Sequence, residues 1–301
     1  MGRFFIRSTK GILSRMKSFR LAIAFPLFIL FFFASSLGCS SNNSGGSAEG
    51  ITLRIVHQEN GTPLEIDQLI YTNAAGDTYS VTKFEYLISN LELSHSVSGA
   101  QLNLTNILYG NAVTQGDSQQ LFQGLAAGSF DTLSFVWGVP PSENISGALP
   151  VEYSGMEWPP QFGGGYHAMR FEGNWTDLNP GDTAYVLHAG HLRRCTDMMI
   201  PYASCPPVDQ IDETGMAEIS LPISSITTGA NRHWTVVIVI EVQNWLNNPI
   251  YNFGQLWSDP SLCPSSFAQC TLGYPTMMGP EPQQMMHDNS TDVFSVTVSE
   301  S

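Results

Sequence analysis

Where the seven histidines of this 301-residue chain fall is the most informative chemistry in its sequence. Read by strand parity, three of them share a face with apolar residues. His57 continues the face of Ile51, Leu53 and Ile55; His167 goes with Met169 and Phe171; His188 goes with Ala184 and Val186. A fourth, His287, follows Gln283-Gln-Met-Met286 just ahead of a final strand. A buried imidazole has two ring nitrogens to satisfy, and a metal ion is one partner that can do so. A backbone carbonyl is another, and for a single histidine it is the commoner answer. Imidazole with an optional thioether, here from Met169, Met285 or Met286, suits copper better than calcium or magnesium, which prefer oxygen. His188 and His191 stand three apart and so face opposite sides of a strand, which makes them a poor chelating pair. His95 and His233 read as ordinary. Metal binding would need neutral imidazoles, so affinity is expected to fall below pH ~6.5, the unperturbed histidine value.

Other chemistry is missing from the text. There is no zinc-protease HExxH, nucleophile elbow or phosphate loop, and Gly163-Gly-Gly165 is followed by neither a helix signal nor a lysine. No acid–base pair stands out, so the chain reads as a binding protein and not an enzyme. Apart from Cys39 there are four cysteines, Cys195, Cys205, Cys263 and Cys270. An even number in an oxidising compartment favours two disulfides. The near pairings are Cys195–Cys205 and Cys263–Cys270, with other connectivities open; neither use leaves a cysteine for a blue-copper site.

The elements that must position these residues are strands. Period-2 alternation recurs along the chain, and no long segment carries a helical period. Phe84, Tyr86 and Ile88 alternate, then Leu91, Leu93 and His95 continue with shifted parity, which predicts a bulge near Ser89-Asn90. Leu133, Phe135 and Trp137 alternate; Trp234 to Val242 is almost wholly apolar, as a central strand would be; Ala184–His188, Ala217–Ile223 and Val293–Val298 complete the set. Many short strands separated by Gly, Pro, Asn and Asp predict an all-β fold, an antiparallel β-sandwich of Greek-key type with long loops.

The N-terminus predicts export. Six basic residues from Arg3 to Arg20 precede an apolar run, Leu21 to Phe33, and then Ala34-Ser-Ser-Leu-Gly-Cys39. That is a secretory signal over residues 1–38, too short in its apolar part to span a bilayer. Ending on Gly38-Cys39, it resembles a bacterial lipobox with Leu37 one place nearer the cysteine than usual, so Cys39 is the expected lipidation site. Residues 39–50 form a Ser/Gly/Asn-rich tether, and 51–301 one large domain. Ser40 after the cysteine leans towards an outer-membrane lipoprotein, its domain in the periplasm or at the cell surface. With the leader gone, six basic residues face 26 acidic ones, a formal −20, which argues against nucleic acid as a partner.

The text also resembles a known family. Leu53-Arg-Ile-Val-His57 with Gly61-Thr-Pro-Leu64, Tyr79 to Leu93 with its Tyr86-Leu-Ile-Ser-Asn-Leu91 centre, Phe135-Val-Trp-Gly-Val139, Met156-Glu-Trp158 leading to Arg170-Phe-Glu-Gly173, and Val186-Leu-His-Ala-Gly190 occur in that order. They are similar to the MbnP-like copper-binding domain, the four-cysteine metallo-mystery pair family. The resemblance implies an exported β-sandwich that binds copper through histidines. It also implies a partner, a di-haem c-type cytochrome related to bacterial peroxidases (MbnH-like), which oxidises a tryptophan to kynurenine. Carried onto this chain, His57 and His188 occupy motif positions, His287 and His167 join by place and by face, and Trp158 is the tryptophan of the motif. The chain departs from the family at Trp158-Pro-Pro160 and at the Gly163-Gly-Gly165 insertion. The rival reading is a metal-free surface adhesion module whose histidines only pack.

Overall fold

The computed structural model describes residues 49–160, 163–176, 183–197, 199–200, 202–229, 231–248, 250, 252–253 and 280–301. The signal segment, Cys39, the tether up to residue 48, Cys263 and Cys270 lie outside these residues. Among the described residues, no helix is long and apolar enough to cross a membrane.

Two sheets face each other. The first runs β14 (Phe294–Glu300), β13 (His233–Glu241), β1 (Gly50–Glu59), whose far edge is shared by β2 (Thr62–Pro63) and β7 (Ser118–Phe122). The second runs β11 (Gln210–Thr214), β10 (Thr183–Cys195), β9 (His167–Thr176), β5 (Lys83–Ser94), β8 (Gly128–Trp137), β12 (Ala217–Thr228). β6 (Gln101–Asn111) lies along the other edge of β5, and the short β3 (Tyr71–Thr72) and β4 (Thr78–Tyr79) attach to β9. Among the described residues all strand pairings are antiparallel except β1 with β13, which run parallel from Gly50↔His233 to Gln58↔Glu241. The expected sandwich is therefore present, with one parallel pair at the centre of its smaller sheet.

The alternation explains which faces meet. Ile51, Leu53 and Ile55 of β1 and Val236, Ile238 and Ile240 of β13 are buried against Phe84, Tyr86, Trp137, Phe171, Tyr185 and Leu187 of the larger sheet. β13 is central as expected, but its second face, with Val237 and Val239, is only partly covered. The parity shift in β5 is a real bulge: its pairing with β8 slips between Ser89 and Glu92, and Asn90 adopts φ +52°. β5 serves two partners on one edge, β9 along 83–86 and β8 along 88–94, and the bulge falls within the second stretch. β1 turns into β2 through Asn60-Gly61, both at positive φ, the two-residue hairpin turn that Asn-Gly favours.

Among the described residues one α-helix interrupts the all-strand reading, α1 (Pro280–Asn289). Its inward positions include Gln283, Met286 and Asn289, three apart and all at 0% exposure. Two of these three are polar, so no apolar helical period shows in the sequence. The helix is fastened by amides instead of by a greasy stripe. Gln283 accepts from Gly190 N (2.9 Å) and donates to His188 O (2.8 Å), and Asn289 donates to Trp245 O (2.7 Å).

Cys195 and Cys205 form a disulfide that closes the connection from β10 towards β11. The ring spans a sequence separation of 10. Replacing both by Ser is expected to lower the unfolding free energy by about 2–3 kcal/mol, the worth of so short a loop. Chemical denaturation of the oxidised protein checks this, and an unchanged midpoint at unchanged slope would show that the crosslink contributes nothing.

Candidate metal centre

The site is built on the outer face of the β5–β9–β10 part of the larger sheet. In β10, Tyr185, Leu187 and Ala189 are fully buried in the core, which turns Ala184, Val186 and His188 to the opposite side. The sequence expectation that His188 faces inward is thus corrected. Both parities of Ala184-Tyr-Val-Leu-His188 carry apolar residues, and the larger pair takes the core. Register then places Arg170 beside His188, Lys83 beside Glu172 and Glu85 beside Arg170.

His188 Nε2 lies 2.8 Å from Glu172 Oε1. A carboxylate only accepts, so neutral His188 carries its proton on Nε2 and its lone pair on Nδ1. Burial alone would raise the Glu172 pKa, but bonds from His188 and from Lys83 (2.9 Å) hold it down to about 2. Arg170 bridges to the neighbouring carboxylate, Glu85, at 3.0 Å and to Gly155 O at 3.2 Å. Glu172 is therefore a fixed anion that orients the ring.

His167 is the second imidazole. The slip in β9–β10 pairing between Ala189 and Gly190, next to His167, interrupts the alternation and leaves its ring against His188. The two ring centres are 4.9 Å apart, edge to face at 87°. His167 Nδ1 donates to Met156 O at 3.0 Å, so the lone pair sits on Nε2. That Nε2 is buried and has no hydrogen-bond partner among the described residues. Burial first, and then the neighbouring His188, lowers the His167 pKa to about 3, against the pull of the Met156 carbonyl. His188 is also lowered by burial, with Glu172 opposing. Burial favours the neutral form of both rings, which moves the expected loss of affinity below the unperturbed histidine value of ~6.5.

Trp158 closes the site. It is 1% exposed and meets His167 edge to face, ring centres 4.7 Å apart. It also lies over Gly190, where a Cβ would come within 2.8 Å of the indole. The loop that carries it returns through Gly163, Gly164 and Gly165, all at positive φ (111°, 68°, 87°), which side-chain-bearing residues rarely adopt. Trp158 N then bonds to Gly165 O (2.8 Å), and Tyr166 N to Asn144 Oδ1 (2.6 Å). The glycine run that looked like an insertion is what lets the loop fold back on itself.

The other histidines are elsewhere. His57 does face inward, as its parity predicts. Its Nε2 meets Tyr86 OH at 2.9 Å, and its Nδ1 stands 3.7 Å from Asp117 Oδ1. Burial lowers its pKa to about 4, with Asp117 pulling the other way. Tyr86 and Glu85 are on opposite faces of β5, so the sheet separates His57 from the His167–His188 pair. His287, on α1, is 43% exposed and pairs with Asp288 at 3.3 Å. His191 is bonded to Asp212, which also accepts from Tyr202 OH at 2.8 Å. His95 Nδ1 accepts two turn amides, and His233 Nε2 meets Thr52 Oγ1, both ordinary roles.

The donor set fits copper in a specific sense. Two buried imidazoles each have their N–H tied to a protein acceptor, and this fixes their tautomers and frees one nitrogen apiece, the outer-shell pattern of histidine ligands. Among the described residues no group of three or more His, Cys, Asp or Glu side chains forms a cage, so an ion held here would rely on these two imidazoles. The residues that orient these ligands, Glu172 and the Met156 carbonyl, were not singled out from the sequence. The signal for Glu172 was there: Lys83, Glu85, Arg170 and Glu172 alternate outward on two strands that turn out to be neighbours. For Gln283, which holds the His188 backbone, the sequence carries no signal.

The MbnP family model matches residues 48–261, which include His57, Trp158, His167 and His188 and exclude His287. No curated protein matches the chain. A solved structure, MbnP from Methylosinus trichosporium, aligns at 13% identity over 84% of this chain and 99% of that one, with a TM-score of 0.43. With the family match spanning well over half of its length, this chain belongs to the MbnP family.

Proposed function

We propose that the protein is an exported, lipid-anchored copper-binding protein whose ion is held by His167 and His188. The observation that carries this reading is the buried, unpartnered Nε2 of His167 beside a second imidazole whose proton is fixed on the far side by Glu172. Leaving such a lone pair dry costs about 1–3 kcal/mol, a cost that a bound cation would remove. Family membership supports copper over other imidazole-seeking ions. What copper supplies there is a transferable, redox-active ion; the chain's part is to present two neutral nitrogens and exclude water. No turnover is needed. Lipid on Cys39 would keep the domain at the outer membrane, and a di-haem cytochrome partner would act on Trp158, which packs directly on His167.

Copper loading followed by dialysis and metal analysis tests the site. Wild-type protein is expected to retain one copper, and His167→Ala or His188→Ala to retain none. His57→Ala and His287→Ala are expected to bind as wild type. Glu172→Gln should weaken affinity about 10–100-fold, the usual cost of losing a partner that orients a ligand. Equal retention in the His167 and His188 variants would sink the assignment, and no copper in any form would favour the adhesion reading.

The pH response separates binding from stability. Because His57 and His167 titrate near 4 and 3 when folded but near ~6.5 when unfolded, the unfolded chain takes up more protons between those values. Stability of the metal-free protein should therefore fall as pH drops from about 6.5 towards 4. Copper affinity measured on still-folded protein should fall from pH 7 to pH 5 by less than two unperturbed imidazoles would require. A steep loss of affinity between those two points would contradict the buried-imidazole site.

Mass spectrometry of the protein made in its native membrane alongside its partner covers the rest. The N-terminal peptide should begin at acylated Cys39, and the Trp158 peptide should have lost one carbon and gained one oxygen, as conversion to kynurenine requires. An unmodified Trp158 in that sample would remove the partner's proposed action, and a leader cut elsewhere would remove the anchor.

A further inference from the structure

The core holds a second arrangement that copper binding does not use. Tyr86 stacks on Trp137 with ring centres 4.7 Å apart at 24°, and Trp137 stacks on Trp245 at 5.2 Å and 30°. All three rings are 0% exposed. Trp245 sits in the turn after β13, next to half-exposed Asn244 and close to exposed Asn248, so this end of the row approaches the surface. At the other end, Tyr86 OH is 2.9 Å from His57 Nε2, and Asp117, half exposed, stands behind the ring. Phenol and indole are among the side chains that give up an electron most readily, and contact stacking carries that vacancy from ring to ring.

The hydrogen bonding differs along the row in a way that gives it direction. The Nε1–H groups of Trp137 and Trp245 are buried with no acceptor among the described residues. An oxidised indole there cannot shed its proton, so its positive charge stays mobile. Tyr86 has a base within hydrogen-bond reach, and a phenol that loses its proton with its electron becomes a trap.

We propose that Trp245, Trp137 and Tyr86 form a hole relay that ends in a neutral tyrosyl radical at Tyr86, with His57 as the proton acceptor. The step balances. A high-potential, metal-centred one-electron oxidant at the surface takes one electron from Trp245 and is itself reduced by one electron. Trp137 refills Trp245, and Tyr86 refills Trp137. The Tyr86 O–H bond breaks, its proton goes to His57 Nε2, and the imidazolium so formed is paired with the Asp117 carboxylate. The relay is independent of the copper reading, since the larger sheet lies between His57 and the His167–His188 pair.

The test uses metal-free, full-length protein with photogenerated ruthenium(III) polypyridyl as oxidant. Electron paramagnetic resonance and transient absorption should show a tyrosyl radical in wild type and a tryptophanyl radical in Tyr86→Phe. His57→Gln keeps a hydrogen-bond acceptor but not a base, and it should slow tyrosyl formation at least about tenfold, equivalent to roughly 1.4 kcal/mol in barrier. Trp137→Phe should slow it while leaving the final radical in place. Circular dichroism checks that each variant is folded; where Tyr86→Phe is not, the His57→Gln rate decides. An undiminished tyrosyl yield in folded Tyr86→Phe, or an unchanged rate in His57→Gln, would overturn the relay by placing the radical on a peripheral tyrosine.

Discussion

The antiparallel pairing of β9 with β10 is the constraint on which the site depends. Its register sends Tyr185 and Leu187 into the core, and by doing so commits His188 to the other face. Burying two such side chains is worth several kcal/mol, about 1.5–3 for each, far more than any polar contact His188 makes. The position of His188 is therefore a by-product of core packing, and it is correspondingly rigid. The slip at Ala189/Gly190 adds the second imidazole, and the absence of a Cβ at Gly190 leaves room for Trp158 to pack on His167. Gln283 then fastens the same stretch from the other side, holding the backbone of His188 and Gly190 with one amide.

Charge is handled locally. A domain this acidic has few cations to spare, and two of them, Lys83 and Arg170, are placed beside Glu172 and Glu85. The row comes out nearly neutral, so Glu172 can remain ionised while the neighbouring histidines remain neutral. Were Glu172 unpaired, burial would favour its protonated form, and a protonated carboxyl could no longer hold the His188 tautomer. Partly exposed pairs of this kind add little to stability in themselves. Their contribution is to fix the protonation state of the histidine ring they surround.

Much of the fold was legible because apolar side chains alternate in it. β1 announced its inner face through Ile51, Leu53 and Ile55, and the bulge at Asn90 was visible as a parity slip. Legibility failed where both parities were apolar, as in Ala184–His188, and where the inward residues were polar, as in α1. β6 left little trace because it is an edge strand with few buried positions. The site was half readable for the same reasons. Residue types pointed to histidine chemistry, but which histidines meet depends on register and on a bulge, and neither is written in local sequence. His57 and His188 looked alike in the text, yet His57, on β1 of the smaller sheet, faces the core while His188, on β10 of the larger sheet, faces away from it.

That separation by a sheet has a consequence for how the two halves of the molecule can behave. On the outer face, each imidazole keeps its proton on the nitrogen held by an acceptor and offers the other to a ligand. On the inner face, His57 instead meets a phenol that has no other partner of comparable basicity, within a stack of aromatic rings. The same residue type, lowered in pKa by the same burial, is thus set up for opposite tasks by what its nitrogens touch. In the proposed roles, the pair accepts a cation without moving a proton, and the single ring accepts a proton when its neighbour loses an electron. Because β5, β9 and β10 stand between them as a packed layer, a change made to one face should reach the other only through the core residues that set the strand register.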